Sequence, residues 1–477
     1  MHLLNHTILK VVRPLAIALL VLPPALIHAQ TAQPTPDQQF LREIYKELIE
    51  INTTDSVGST TQAAEAMAKR LLAAGFPAED VKVVVPAGNA KKGNLVARLR
   101  GTGQQKPLLL LAHIDVVEAR REDWSTDPFK LVEQDGYLYG RGTIDDKAMA
   151  AIFVANLIRF KRENFKPDRD IILALTADEE GGDFNGVEFL LKDHRALVDA
   201  EFGINEGGRG QLKGGQRLLN AVQASEKVYQ SFLLEVKNKG GHSSLPLKDN
   251  AIYRLVAGLD RLAKFDFPVN LNEVTRAYFT RMSAIEAGPN SADMKAVAQA
   301  APDAAAAKRL ADASPYYNAL MRTTCVATRL DAGHADNALP QTARATVNCR
   351  ILPQEISGQV QQTLVKVLAD DQITVTPIAV SKPSPPSPLQ PAIMRPIESI
   401  TEAMWPGVPV VPLMGTGATD SLYFRQAGIP VYGVSGIFDD IEDTRTHGRD
   451  ERIGIKSLYE GQEFLYRLVK TLAAGQM

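Results

Sequence analysis

Two short runs constrain this chain most. Leu108-Leu109-Leu110-Leu111-Ala112 and Ile171-Ile172-Leu173-Ala174-Leu175 are apolar at every position. They show none of the alternation of a strand with one wet face, so each reads as a strand buried on both faces. Such strands need helices above and below. Helical patterns lie between and around them: 39–75, where Phe40, Ile44, Leu48 and Ile51 share a face, then 147–163 and 184–191. Phe202-Gly203-Ile204 adds a short strand. The expectation is an α/β fold, a layered sheet with helices on both faces.

The character of the chain shifts near residue 227. Val228–Val236 alternates as a half-buried strand, and a helix follows at 250–263. After an irregular and helical section, 266–320, to which the sequence gives no role, come strands at 323–329 and 342–351, a helix at 355–369 and a strand at 373–380. The run SKPSPPSPLQP, 381–391, is a proline-rich linker. This predicts one α/β domain, 34–226 and 385–477, interrupted by a smaller α+β domain at 227–384.

Length allows a large core in each part, and 45% hydrophobic with 23% charged residues is ordinary globular composition. A net charge of -2 without a long basic run argues against nucleic acid or anionic membrane as the main partner. At the N-terminus, Lys10 and Arg13 precede the apolar run Leu15–Ile27, with small residues near Ala29. This reads as a signal peptide, 1–29, too short and too broken by Pro23-Pro24 to serve as a comfortable membrane span. The mature protein is expected to be exported, to a periplasm. Its two cysteines, Cys325 and Cys349, fit either one disulfide or two buried thiols.

In α/β sheets, working residues gather beyond the carboxyl ends of strands. There the sequence places His113-Ile114-Asp115, Asp178-Glu179-Glu180 and Asn205-Glu206-Gly207-Gly208. The stretch GRGTIDDKAM, 140–149, adds two adjacent aspartates. A phosphate loop is disfavoured there, because the third glycine of a dinucleotide fingerprint is missing and the acids would repel phosphate. A solvated turn or a metal remains. Any one acidic loop can be a solvated turn; several at successive strand ends point to a site. His113 and Asp115 share a strand face, so the carboxylate can orient the imidazole from behind. Adjacent Glu179 and Glu180 point apart, so one can ligate while the other reaches water. Neither a G-x-S-x-G elbow nor an H-E-x-x-H helix is present.

In order, AHIDVV, DGYLYGRGTIDDK, TADEEGG, NEGG, GGHSS and HGRDERI resemble the zinc exopeptidase family of acetylornithine deacetylase, succinyl-diaminopimelate desuccinylase, glutamate carboxypeptidase and aminoacylase. The resemblance spans the mature chain and is nearest the branch of the Gly-Xaa carboxypeptidase and the N-fatty-acyl-amino-acid hydrolase. It implies two Zn2+, with Co2+ or Mn2+ able to substitute. The ligands would be His113 and Glu206 for one ion, Glu180 and His447 for the other, and Asp145 as bridge, followed by a cis peptide bond to Asp146. It further implies Glu179 as general base, Asp115 behind His113, and His242 stabilising the oxyanion from an inserted lid, sometimes across a homodimer. Asn337 and Arg350 would meet a substrate carboxylate, and the loop holding Gly417 and Asp420 would line the pocket. The implied substrates are small peptides or N-acyl amino acids. The alternative is a non-catalytic binder of the same fold, disfavoured because Glu179 and every ligand are present.

Overall fold

The computed structural model describes residues 33–474, so the signal-peptide expectation lies outside the described residues. The two all-apolar runs sit side by side in a ten-stranded sheet, as strands Gln105–His113 and Arg169–Thr176, paired in parallel. Phe202–Asn205 continues the parallel set beyond Gln105–His113, and Val431–Gly433 extends it again. Asn94–Leu99 runs antiparallel on the other flank. All four central strands therefore end at one edge, which sets His113, Thr176, Asn205 and Gly433 in a row.

Helices cover these strands because their sequences leave no other solution. Lys147–Arg162 is apolar nearly all round and buried from Lys147 through Ile158, which requires packing on more than one side. Its neighbours in the core include Leu41, Ile44 and Leu48 of helix Pro36–Glu50 and Leu465, Leu468 and Leu472 of helix Ile455–Ala473. The pattern read as one helical region at 39–75 is two helices, Pro36–Glu50 and Thr60–Ala73, the second capped by Ser59, whose hydroxyl accepts from the Gln62 amide.

A separate four-stranded antiparallel sheet has the order Thr324–Ala332, Thr342–Ile351, Val228–Lys237, Ile373–Pro377. One face carries Phe232, Leu234, Val236, Ala343, Ala345 and Val347. It packs against Leu255 and Leu262 of helix Ala251–Ala263 and Val360, Leu364 and Leu368 of helix Ser357–Leu368. Cys325 and Cys349 lie directly opposite on neighbouring strands and form a disulfide, S–S 2.03 Å.

Residues 266–320 hold four helices, Glu273–Ile285, Pro289–Val297, Ala304–Ala313 and Pro315–Met321. Their apolar side chains, Phe279, Met282, Met294 and Leu310 among them, pack with Leu219, Ala221, Val411 and Met414 of the large sheet. The segment thus leaves the smaller sheet, covers strand Val410–Gly415, and returns. Among the described residues, no helix is long and apolar enough to cross a membrane.

Candidate metal centre

The row of strand ends brings together His113, Asp145, Glu179, Glu180 and Glu206, and His447 joins them from a turn near the C-terminus. Asp145 uses its two oxygens in different directions. Oδ1 lies 3.1 Å from His113 Nε2, and Oδ2 lies 3.4 Å from His447 Nε2. Each imidazole has a second carboxylate of its own: Glu206 Oε1 is 3.8 Å from His113 Nε2, and Glu180 Oε1 is 2.9 Å from His447 Nε2. Ligand-capable atoms of His113, Asp145 and Glu180 lie within 4.8 Å of one another, and so do those of His113, Glu179 and Glu206.

Each side chain is held from behind. His113 Nδ1 sits 3.1 Å from the Asp115 carbonyl and 3.5 Å from its carboxylate, which aims Nε2 at Asp145. The Asp115 carboxylate also accepts from the amides of Glu179 (3.2 Å) and Glu180 (3.0 Å), so one aspartate sets both the imidazole and the acidic turn. Asp178, just before that turn, and His447 both have positive φ, +58° and +62°, a conformation uncommon without glycine. Lys92 forms an ion pair with buried Asp178 and thereby holds the turn.

The Asp145 loop is gathered by a residue whose role the sequence reading missed. Buried Glu451 accepts from Arg141 Nη1 (2.7 Å) and from the amides of Gly142 (3.0 Å), Ile144 (2.8 Å) and Asp145 (3.3 Å). The signal lay inside HGRDERI, four residues past His447. Gly142 has φ +81°, and a Cβ there would meet Val116 at 2.7 Å, so the turn needs its glycine. The Asp145–Asp146 peptide bond is cis, as the resemblance implied. Lys147 Nζ donates to the carbonyls of Leu48 and Ile51, both at 2.9 Å, and is structural.

Electrostatics fit a cation cup. Burial and the neighbouring carboxylates push Glu179 well above the usual carboxylate range, and burial with Asp145 pushes Glu206 up to about 8. Hydrogen bonds to Asp145 and Glu180 raise His447 to about 10. Burial lowers the His113 imidazole, but Asp115 and Asp145 outweigh it and leave it well above its ordinary value. Two imidazoles among so many carboxylates form a donor set for divalent metal, with one carboxylate placed to bridge.

Of the remaining expected residues, Asp420 lies beside the strand ends and the others lie outside the cluster. His242 is exposed on a short strand paired with Ala338–Leu339, and Asn337 is adjacent, its carbonyl accepting from the Ser243 amide. Arg350 rests over the Tyr229 ring, 4.8 Å from its centroid, on the smaller sheet. Gly417 is exposed. Asp420 is buried, its carboxylate accepting from Thr176 Oγ1 (3.0 Å) and Asn185 Nδ2 (2.9 Å), and burial pushes it up to about 6. His194 links two short helices, half-buried, its ring edge-on to Phe189.

A family model described as peptidase family M20/M25/M40 matches residues 109–471. The human N-fatty-acyl-amino acid synthase/hydrolase PM20D1 is 29% identical over 382 residues, covering 78% of this chain and 75% of the relative. A probable carboxypeptidase S-like 2 of Dictyostelium discoideum is 29% identical over 387 residues, covering 79% and 74%. Among solved structures, an M20 family metallo-carboxypeptidase from Sulfolobus solfataricus shares the fold with TM-score 0.66 at 17% identity, covering 91% of this chain and 99% of that one.

Proposed function

From the premise that the chain belongs to peptidase family M20/M25/M40, a family of metal-dependent amide hydrolases, we propose a dizinc site cutting small peptides or N-acyl amino acids. The observation that carries it is Asp145, one carboxylate spanning two imidazoles that each have a further carboxylate partner. Imidazole nitrogen and carboxylate oxygen suit zinc, with Co2+ or Mn2+ able to substitute. His113 and Glu206 would hold one ion and Glu180 and His447 the other, with Asp145 shared.

When bound, the metal pair supplies carbonyl polarisation and acidifies water. Glu179, which has the acidic turn's other carboxylate, takes a proton from the attacking water and passes it to the leaving nitrogen. His242 Nδ1 accepts from the Ser244 amide (3.1 Å), which leaves the proton on Nε2 as a donor for developing negative charge at the substrate oxygen. Arg350 and Asn337 grip a free substrate carboxylate. In this reading residues 227–384 form the lid.

Metal analysis of the purified protein, then chelation and readdition, tests the proposal. We expect about two equivalents of zinc and activity that chelation abolishes and zinc restores. An active enzyme free of transition metal overturns it. A panel of dipeptides and N-acyl amino acids assigns the substrate.

We also propose export to an oxidising compartment, a periplasm, supported by the Leu15–Ile27 run and by the Cys325–Cys349 disulfide. Finding the full-length protein in the cytosolic fraction with reduced thiols would remove that reading. A homodimer through the lid is supported by its exposed edge strand, Thr324–Ala332, which presents Val326 and Leu330. Light scattering that reports a monomer at every concentration excludes it.

A further inference from the structure

Arg209 stands one residue past the NEGG motif, between strands Phe202–Asn205 and Gly210–Lys213. Its backbone is fixed to the large sheet. The Arg209 carbonyl accepts from the Ala221 amide (3.1 Å), and the Gly208 carbonyl from the Ser435 amide (3.0 Å). At Gly208 a Cβ would lie 2.0 Å from the Gly433 carbonyl oxygen, so this stretch lies tight against its neighbour.

From that anchor the guanidinium reaches two other segments. Nη2 donates to the Ile144 carbonyl at 3.3 Å and lies 3.9 Å from Asp145 Oδ1. Nη1 donates to Thr446 Oγ1 at 3.2 Å and lies 3.7 Å from Asp439 Oδ2. One planar fork thus joins the segments that carry Glu206, Asp145 and His447. His447 most needs such a tie, because its side chain is 53% exposed on a turn with positive φ. Arg141 holds that turn from the other side, through the carbonyls of Gly448 (3.0 Å) and His447 (3.5 Å).

We propose that Arg209 is a positioning residue for the metal pair: its fork fixes the Asp145 loop and the His447 turn at the separation two ions require. The inference rests on the reading of Asp145, Glu206 and His447 as ligands. A rigid fork suits the task, because its donors diverge at fixed angles while a lysine offers a single point. The sign of the effect separates positioning from charge. A guanidinium acting only as a nearby positive charge repels dications, so its removal would tighten metal binding. A positioning role makes removal weaken it, by about 10- to 100-fold, as for other residues that orient ligands.

The test is a competition titration of apo wild type, Arg209→Ala and Arg209→Lys with Co2+ and Zn2+, read as two stepwise affinities and as the visible Co2+ spectrum. Circular dichroism checks that each variant is folded. We expect Arg209→Ala to lose about 10- to 100-fold for the weaker site with a changed Co2+ spectrum, Arg209→Lys to lose less, and millimolar guanidinium to restore part of the loss in Arg209→Ala. Should Arg209→Ala not fold, weakened binding in Arg209→Lys supports the assignment and wild-type binding there overturns it. Arg209→Ala binding as tightly as a two-metal wild type, or more tightly, overturns the Arg209 assignment alone. A wild type that binds no metal overturns this assignment and the dizinc reading together.

Discussion

Asp145 is the residue on which the site turns, and its hydrogen bonds to His113 and His447 hold its carboxylate below the usual range despite burial. The groups around it are tuned the other way, and that has a measurable consequence. Glu206, at about 8, and His447, at about 10, must shed protons before they can ligate, so metal affinity rises with pH and falls as these groups protonate. Between pH 6 and pH 8 we expect zinc affinity to rise at least about tenfold, with proton release on titration in buffers of different ionisation enthalpy. Affinity that is flat with pH contradicts the ligand set. Glu179→Gln should lower kcat at least about 100-fold while metal content stays near wild type, since its proposed role is proton transfer. Near-normal turnover in that variant means the base has been misassigned. The segments carrying His113, Glu180 and Glu206 were legible because acids and an imidazole recur just past successive buried strands, and Asp145 and His447 through the motifs around them. Glu451 and Arg209 were not, because a buried acid and a half-buried arginine look like surface residues until the fold shows what surrounds them.

At the level of elements, the two all-apolar strands were plain, yet the eleven-residue strand Gln216–Glu226 between them and the smaller sheet went unread. Its sequence carries Asn220, Gln223, Ser225 and Glu226, all buried. Two of these polar groups are matched by partners distant in sequence: Asn220 donates to Thr401 Oγ1 (3.0 Å), and Glu226 pairs with buried Arg425. Sequence periodicity cannot register such satisfaction, because it scores a buried polar residue as exposed. The disulfide is a second element-scale feature: it joins an exposed edge strand to its neighbour across a separation of 24 residues. Replacing both cysteines by serine should lower stability by about 3 kcal/mol, by the loop-closure argument, read as a lower urea midpoint for the smaller sheet. An unchanged midpoint would show that edge pairing alone suffices there.

For the molecule as a whole, the proposed function divides the catalytic groups and the carboxylate-gripping Arg350 between two sheets. The connections between them, Glu226–Val228 and the proline-rich 381–391, lie beside each other. The Ser387 amide donates to the Ala224 carbonyl (2.7 Å), and Arg425 reaches Ser384 (3.4 Å) as well as Glu226. If Arg350 reads a substrate carboxylate from the smaller sheet, amidating that carboxylate should lower kcat/KM at least about tenfold, and Arg350→Ala should erase most of the difference. Equal hydrolysis of free-acid and amidated substrates would instead favour recognition at the amino end. The span of the site along the chain has a further consequence. Arg141 and Glu451 are 310 residues apart, and Glu180 and His447 267. On the ribosome, the first imidazole and the acidic turn emerge long before the turn that completes the cup. Closing contacts across so much sequence is slow, so the cup is complete only after the turn carrying His447 has been made. A chain stopped short of His447 should therefore accumulate as a partly folded, protease-sensitive species, however complete its strands.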